Sequence, residues 1–221
     1  MSYAAVIPPI MAGQAQDAAQ PQRNRLRIPR GRRRYRTFYG TVKNDEFESY
    51  RMNIKSISIS SPVEEKIRWA EECHRELGTQ ILEDKTVVDL LAKTKSAIPA
   101  SHAEMMKTGI IDLCRQCEQD EGGSCCGHGL ENRYDGWLLL INLLMDVELP
   151  KARRDPKSCY FLGEKGCLLE VRHVICINYI CKKISQKIEP RKISVLREKE
   201  GLEINFVFLL HEQIKRVLRD E

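Results

Sequence analysis

Apolar residues recur at helical spacing from residue 61 onward and predict a chain built mainly of helices. Ser61, Pro62 and Glu64 predict a helix start, with Ser61 as the cap, Pro62 at the first helical position and Glu64 in a capping box. The apolar stripe that follows contains Val63, Ile67, Ala70, Leu77 and Ile81, with Cys73 on the same face. We expect Cys73 to be a buried core thiol, because a reactive cysteine would need exposure and a depressed pKa.

Shorter helices are predicted ahead of the first cysteine pair. Residues 86–95 have a helical pattern, and Ser101 with Glu104 opens another helix through a capping box. The apolar residues of this later helix are Met106, Ile110 and Leu113. It is expected to carry Cys114 and Cys117 on its last turn, where residues three apart are neighbours.

Two more helical patterns lie in the second half of the chain. Residues 137–147 predict a buried helix, apart from Asn142 and Asp146. Residues 193–218 predict a long helix that Gly201 would weaken. Its expected apolar face consists of Val195, Leu196, Leu202, Phe206, Leu209 and Leu210.

A short β-hairpin is predicted inside the cysteine region. The segments that begin at Cys159 and Cys167 flank Gly163-Glu-Lys-Gly166, whose glycines suit a turn. The predicted fold class is therefore α+β and predominantly helical, with N- and C-terminal helices packed around a small cysteine core stapled by metal. We expect a tail at residues 1–51 and one helical domain at 52–221.

The basic excess of the chain lies in the predicted tail. Residues 1–51 carry ten Lys and Arg against four Asp and Glu, whereas residues 52–221 carry 26 against 27. Residues 1–22 are rich in Ala, Gln and Pro and are expected to be disordered. The arginine-rich arm at 23–36 suits nucleic acid or an anionic surface. It is equally explained as a solvated tail, or as an untranslated stretch before a start at Met52.

No secretory signal or membrane span is expected from the sequence. The N-terminal residues 1–11 lack a basic start with a long apolar middle, and the apolar run at 137–145 is too short to cross a bilayer. We expect a soluble cytoplasmic protein. In a reducing cytosol, its nine cysteines favour metal ligation and buried thiols over a disulfide framework.

Eight of the nine cysteines fall into two blocks of four along the chain. Soft sulfur ligands select zinc or an iron–sulfur cluster, and spacing does not choose between these two metals. The first block is Cys114-x2-Cys117-x7-Cys125-Cys126, and the second is Cys159-x7-Cys167-x8-Cys176-x4-Cys181. All eight are predicted metal ligands, and no catalytic residue is assigned.

How the eight thiols divide among sites is open at this point. Adjacent cysteines point in different directions, so Cys125 and Cys126 need not serve the same ion. Cys176 and Cys181 would point apart on a continuous helix, so the backbone must bend between them if both bind one metal. One four-sulfur site is expected and a second is left open. His128 is an alternative ligand in a Cys3His zinc site.

Charged residues near the cysteines have two conceivable roles. Bound thiolates leave negative charge that nearby cations can offset. The candidates are Arg115, Arg133, Lys157, Lys165, Arg172, Lys182 and Lys183. The carboxylates closest to the cysteines are Asp135, Asp146 and Glu148, and nothing in the sequence pairs them for acid–base catalysis.

The cysteine pattern resembles the YkgJ-type cysteine-cluster family, which is described as a zinc- or iron-chelating domain. The matching residues are Cys114-x2-Cys117, Cys125-Cys126, Cys159-Tyr-Phe-Leu, Gly166-Cys167, Cys176 and Cys181, within residues 110–183. The family's usual Arg-Pro-x-x-Cys element is here Arg172-His173-Val174-Ile175-Cys176, so the proline is missing. The resemblance implies metal chelation. A more distant similarity to bacterial flagellin lysine methylases favours iron–sulfur over zinc.

Two other functional classes are left open. A protein-modifying or redox enzyme that depends on the cluster would have an open coordination position or a reversible change of oxidation state. A zinc-stabilised nucleic-acid-binding module would bind in a salt-sensitive way through residues 1–51. The near-neutral charge of 52–221 counts against nucleic acid as a partner, and an unidentified protein partner is left open.

Overall fold

The computed structural model describes residues 57–120 and 125–218, and in these ranges the fold is mostly helical with one two-stranded antiparallel sheet. This confirms the predicted α+β, predominantly helical class. The predictions for the tail at residues 1–51, including the arginine-rich arm, lie outside the described residues.

The first helix, α1, runs from Val63 to Glu83 and buries the whole predicted apolar stripe. Cys73 lies on this face with none of its surface exposed, and burial raises the pKa of its thiol to about 12. The prediction that Ser61 caps this helix is wrong. Pro62 occupies the cap position, and no side-chain hydrogen bond caps the helix there. The Pro62 carbonyl accepts the backbone N–H groups three and four residues later, so the main chain closes the first turn by itself.

A single long helix, α2 (Lys85–Thr108), replaces the two short helices predicted here. The Asp84 side chain caps its start, and Pro99 lies within it. The predicted helix start at Ser101 and Glu104 is wrong, because Ser101 lies buried within this helix and does not cap a new one. The break comes at Gly109, whose φ of 77° is in the left-handed region that favours glycine. Helix α3 (Ile110–Asp120) begins at the next residue.

The predicted buried helix is α4 (Gly136–Leu144), which ends three residues earlier than predicted. It packs against α1, and Trp69 meets Trp137 edge to face with ring centroids 4.8 Å apart. Gly136 is required at this contact, since a Cβ there would lie 2.3 Å from the Trp69 ring. The helix therefore forms the centre of the main core.

The predicted hairpin is confirmed, with β1 at Leu162–Gly163 and β2 at Gly166–Cys167. Two short helices follow, α5 (Val174–Asn178) and α6 (Lys182–Lys187). The link between these two helices is extended at Tyr179, which has φ −75° and ψ 120°. The chain therefore changes direction between the last two cysteines.

The last helix, α7, runs from Pro190 to Val217 along α2 and passes through Gly201 without a break. Its predicted apolar face is only partly correct. Leu196 and Leu210 are fully buried, but three members of the predicted face are exposed: Val195, Leu202 and Leu209. The buried stripe is instead formed by Leu196, Glu200, Glu203, Val207, Leu210 and Ile214. Apolar residues lie on several sides of this helix, so hydrophobicity alone does not identify the packed side.

Two apolar cores are present in the described part of the chain. The main core joins α1, α4, the hairpin region and the C-terminal half of α7, and Phe161, Val171 and Leu140 lie fully buried in it. The small core consists of Ile110, Ile184 and Leu196, with partly buried neighbours that include Cys181. Over residues 57–120 and 125–218, no helix is both long and apolar enough to cross a membrane.

Candidate metal centre

The eight clustered cysteines come from six separate parts of the described chain, and all are free thiols. Helix α3 carries two, the turn at residues 125–126 carries two, and the other four lie before β1, in β2, in α5 and at the start of α6. They are, in chain order, Cys114, Cys117, Cys125, Cys126, Cys159, Cys167, Cys176 and Cys181. Their electrostatic interactions divide them into two groups.

The inner group, as we call it, consists of Cys126, Cys159, Cys167 and Cys176. Cys159 is only 6% exposed, and Cys126 and Cys176 pack against the same main core. The Cys159 thiol interacts electrostatically with the thiols of Cys167 and Cys126, and the Cys167 thiol interacts with that of Cys176. The Cys159 N–H also donates to the Cys126 carbonyl at 2.6 Å. Main-chain bonding and burial thus bring this group together.

Desolvation has the largest effect on the pKa values of the inner thiols. It raises the pKa of Cys159 to about 12 and also raises the pKa of Cys167 and Cys176. Cys167 is exposed as a residue, yet desolvation is the largest cause of the raised pKa of its thiol. The thiols of Cys159, Cys167 and Cys176 are therefore neutral and protonated at pH 7 when no cation is present.

A buried ion pair stands beside the inner group. Glu131 lies in a short 3-10 helix, Leu130–Arg133, and is 2% exposed. Arg153 donates a hydrogen bond to its carboxylate and also lies over the Tyr160 ring, 5.5 Å from the centroid. Burial raises the pKa of Glu131, but the hydrogen bonds from Arg153 and from backbone amides outweigh it, so the pKa lies below its ordinary value. Glu131 is therefore ionised.

The Glu131 carboxylate joins two cysteine-bearing segments. It accepts the Gly129 N–H at 3.0 Å and the Tyr160 N–H at 3.4 Å. Gly129 lies three residues after Cys126, and Tyr160 directly follows Cys159. These hydrogen bonds fix both backbones without involving either thiol. Two inner cysteines are consequently held side by side by the scaffold itself.

Asn142 on α4 holds the remaining part of the inner group. Its amide nitrogen donates to the carbonyls of Leu138 and Val171, both at 2.9 Å, and its Oδ1 accepts the Val171 N–H at 3.0 Å. Val171 lies between Cys167 and Cys176, so this pair of bonds anchors the segment that carries them to the main core. A buried polar residue inside an apolar helix needs such partners.

Two further side chains act on the inner thiols, Tyr134 by a hydrogen bond and Arg172 by its charge. The Tyr134 hydroxyl donates to the Cys176 sulfur at 3.6 Å, and the Tyr134 ring packs against Phe161 with centroids 4.9 Å apart. Among the cations considered from the sequence, Arg172 interacts with Cys167 and Cys176 and partly offsets the rise of their pKa. Arg172 is thus placed to balance negative charge on these thiols.

The outer group consists of Cys114, Cys117, Cys125 and Cys181. Desolvation raises the pKa of Cys114, and the thiols of Cys125, Cys181 and Cys117 raise it further. Cys125 is influenced in the same way by Cys181 and Cys117. Cys114 and Cys125 are exposed, and Cys181 packs against the small core rather than the main one. The outer group is therefore more accessible and has a different apolar support.

The division into groups does not follow the two sequence blocks. Cys125 lies with the outer group, while its neighbour Cys126 lies with the inner group. Cys176 and Cys181 are separated by the extended residue Tyr179 and also belong to different groups. The backbone bend expected between these two cysteines is present, but it sends them to different groups.

The donor chemistry of both groups fits a thiophilic metal. Each group offers four sulfur atoms and matches the donor set of zinc or an iron–sulfur cluster. Within residues 57–120 and 125–218, no three or more His, Cys, Asp or Glu side chains are close enough to hold a metal ion. The thiols of each group interact, but their sulfur atoms are not arranged at metal-coordination distances. Ligation by all eight stays a prediction, as does the Cys3His alternative with His128, which is exposed.

A buried polar cluster beside Arg172 was not foreseen. Its side-chain atoms without a hydrogen-bond partner belong to Ser101, His102, Arg172, Glu200 and Glu203. Burial raises the pKa of Glu200 and Glu203 and lowers that of His102 to about 4. The two glutamates sit at helical spacing within an apolar stripe of α7, and that placement is a signal that sequence reading could have used.

Of the three carboxylates that are closest to the cysteines in sequence, one caps a helix and two are exposed. Asp135 caps α4 by accepting the Leu138 N–H at 2.8 Å, and its other oxygen lies 3.0 Å from the His211 ring. Asp146 and Glu148 are exposed. Asp135 and His211 therefore join α4 to α7.

No family model, no curated protein and no solved structure matches the chain. The resemblance to the YkgJ type consequently rests on the cysteine pattern alone and stays a prediction.

Proposed function

We propose that this protein binds a cysteine-ligated metal centre, either an iron–sulfur cluster or zinc. The ligands are drawn from Cys114, Cys117, Cys125, Cys126, Cys159, Cys167, Cys176 and Cys181. The observation that carries the proposal is that eight free thiols come from six parts of the chain and interact electrostatically in two sets of four, which is the donor number of a closed zinc or cluster site.

Without a metal, these cysteines favour the neutral thiol over the thiolate that a metal requires. Burial and neighbouring thiols disfavour the thiolate form in both groups. A bound cation reverses this preference, since coordinated thiols are deprotonated outright. Structural zinc contributes about 10 to 16 kcal/mol of apparent binding free energy coupled to folding, whereas a native disulfide contributes about 2 to 5 kcal/mol.

Charge balance also favours a site at the inner group. Four thiolates on zinc leave about two negative charges, which an adjacent cation stabilises. Arg172 interacts with two inner thiols, and the Tyr134 hydroxyl donates to one of them. Hydrogen bonds to ligand sulfur and the burial of a cluster are the features by which proteins tune metal centres.

The resemblance to flagellin lysine methylases favours iron–sulfur over zinc. Metal analysis and an absorption spectrum of protein purified without oxygen test this choice. Iron with a similar amount of labile sulfide and broad visible absorption is the expected result. Zinc in stoichiometric amount without visible absorption would support the metal-binding function but identify the metal as zinc and not as an iron–sulfur cluster.

The ninth cysteine provides a matched control for this measurement. Cys73 is buried on α1 in the main core, among apolar residues. The Cys73→Ala variant is expected to retain the full metal content, while Cys159→Ser is expected to lose metal. Protein that contains neither iron nor zinc after anaerobic purification and reconstitution would overturn the proposed function.

A further inference from the structure

We propose that the chain holds two separate four-thiolate metal centres: an inner centre at Cys126, Cys159, Cys167 and Cys176, and an outer centre at Cys114, Cys117, Cys125 and Cys181. This inference rests on the proposed metal-binding function and extends it. It assigns each ligand to a centre and gives the two centres different accessibility.

The first argument is the path of the backbone at the two places where cysteines of one sequence block go to different groups. The Cys126 carbonyl is bonded to the Cys159 N–H at 2.6 Å, which commits Cys126 to the inner side. Cys125 precedes it by one residue, and adjacent side chains point in different directions. At the other end, the extended Tyr179 separates Cys176 from Cys181. Each division therefore has a local backbone cause.

The second argument is that the two groups have different supports. Three inner cysteines belong to or pack against the main core, whereas Cys181 packs against the small core of Ile110, Ile184 and Leu196. Ile110 begins α3, the helix that also carries Cys114 and Cys117. A change that removes the outer centre should therefore leave the main core and the inner centre intact.

The third argument is accessibility. Two outer cysteines, Cys114 and Cys125, are exposed, against one inner cysteine, Cys167. Cys159 of the inner group is buried, and Glu131 holds its segment in place. A chelator can reach exposed ligands without unfolding of the main core. The outer centre is thus the exchangeable one, and the inner centre is the structural one.

Double variants distinguish these centres from centres that follow the sequence blocks. We call the proposed inner and outer centres the crossed arrangement, because each takes cysteines from both sequence blocks. In this arrangement, C114S/C181S removes ligands from the outer centre alone, and about one of two metal centres is lost. If the blocks Cys114–Cys126 and Cys159–Cys181 were the sites, the same variant would lose both. The opposite holds for C114S/C126S, which removes one ligand from each crossed centre and two from a single block.

The experiment is metal analysis of full-length protein and both variants after anaerobic purification, with circular dichroism to verify folding. About two centres in the wild type, one in C114S/C181S and none in C114S/C126S is the expected series. If C114S/C126S does not fold, C114S/C181S still decides between the arrangements. A C114S/C181S variant without any metal centre would overturn the crossed arrangement.

A chelator time course tests the difference in accessibility. The wild-type protein should lose about half of its metal in a fast phase, and C114S/C181S should lack that phase. If the metal retained by C114S/C181S leaves at the fast rate, the inner centre is not the protected one. A wild type with a single centre would overturn this inference and leave the proposed function standing, whereas a wild type without metal would remove both.

Discussion

At the scale of single residues, the groups that position the cysteines are far from them in sequence. Glu131 and Arg153 are 22 residues apart, and Asn142 lies 29 residues from Val171. The cysteines could be singled out as candidate ligands because residue type and spacing suit metal binding. Their polar supports could not, because an isolated glutamate or asparagine has no pattern that reveals a distant partner.

The Glu131→Gln variant is expected to reduce the free energy of unfolding by about 2 to 4 kcal/mol, because Arg153 loses a buried counterion. The folded-state pKa of Glu131 lies below its ordinary value, so its contribution is present above about pH 4.5 and is lost as the pH falls through the lowered value. Denaturant unfolding of both proteins across this range measures the effect, and their stabilities should converge on acidification.

Glu71 offers the control for this prediction. It also forms an ion pair, with Lys151 at 2.5 Å, but the Lys151 side chain is 79% exposed. Glu71→Gln should change stability by less than about 1 kcal/mol. Equal effects of the two substitutions would show that Glu131 has no special supporting role.

Replacing Glu203 is expected to raise the free energy of unfolding, whereas replacing Glu131 lowers it. Both of its carboxylate oxygens are buried, and burial raises its pKa above the ordinary value of 4.5 by more than Ser101 and Arg172 lower it. A raised pKa favours folding at low pH and costs stability as the pH rises above about 4.5. Glu203→Gln should therefore stabilise the protein by about 1 to 2 kcal/mol at pH 7, with a smaller gain at pH 4.

Unfolding by denaturant at pH 4 and pH 7 measures this gain. Glu198 lies on the exposed side of the same helix, and Glu198→Gln should stay within about 0.5 kcal/mol of the wild type. Destabilisation by Glu203→Gln at pH 7 would mean that the carboxylate has a favourable partner, and it would contradict the account of this cluster.

At the scale of elements, local patterns identified helices and the hairpin better than their boundaries and faces. The α1 stripe and the turn between Gly163 and Gly166 were predicted correctly, because each depends on neighbouring residues. The helix break at Gly109 was missed, since Ser101 and Glu104 match a capping box although both lie inside α2. The packed face of α7 is determined by its contact with α2, which the sequence of α7 alone does not contain.

At the scale of the whole molecule, chain order and spatial order differ. Sequence spacing divides the cysteines into an early and a late block, while the fold exchanges Cys126 and Cys181 between them. This exchange depends on a turn and an extended residue, together with two apolar cores assembled from distant segments. The sequence therefore singled out these cysteines as candidate ligands, but it did not indicate how the fold groups them.

The most direct test of thiolate coordination is X-ray absorption at the metal edge of the full-length protein purified without oxygen. We predict a first shell of about four sulfur atoms at about 2.3 Å per metal, without nitrogen or oxygen ligands. An iron–sulfur cluster adds iron–iron scattering to this shell, and zinc does not. A first shell made mainly of nitrogen or oxygen would contradict the central claim that these cysteines bind the metal.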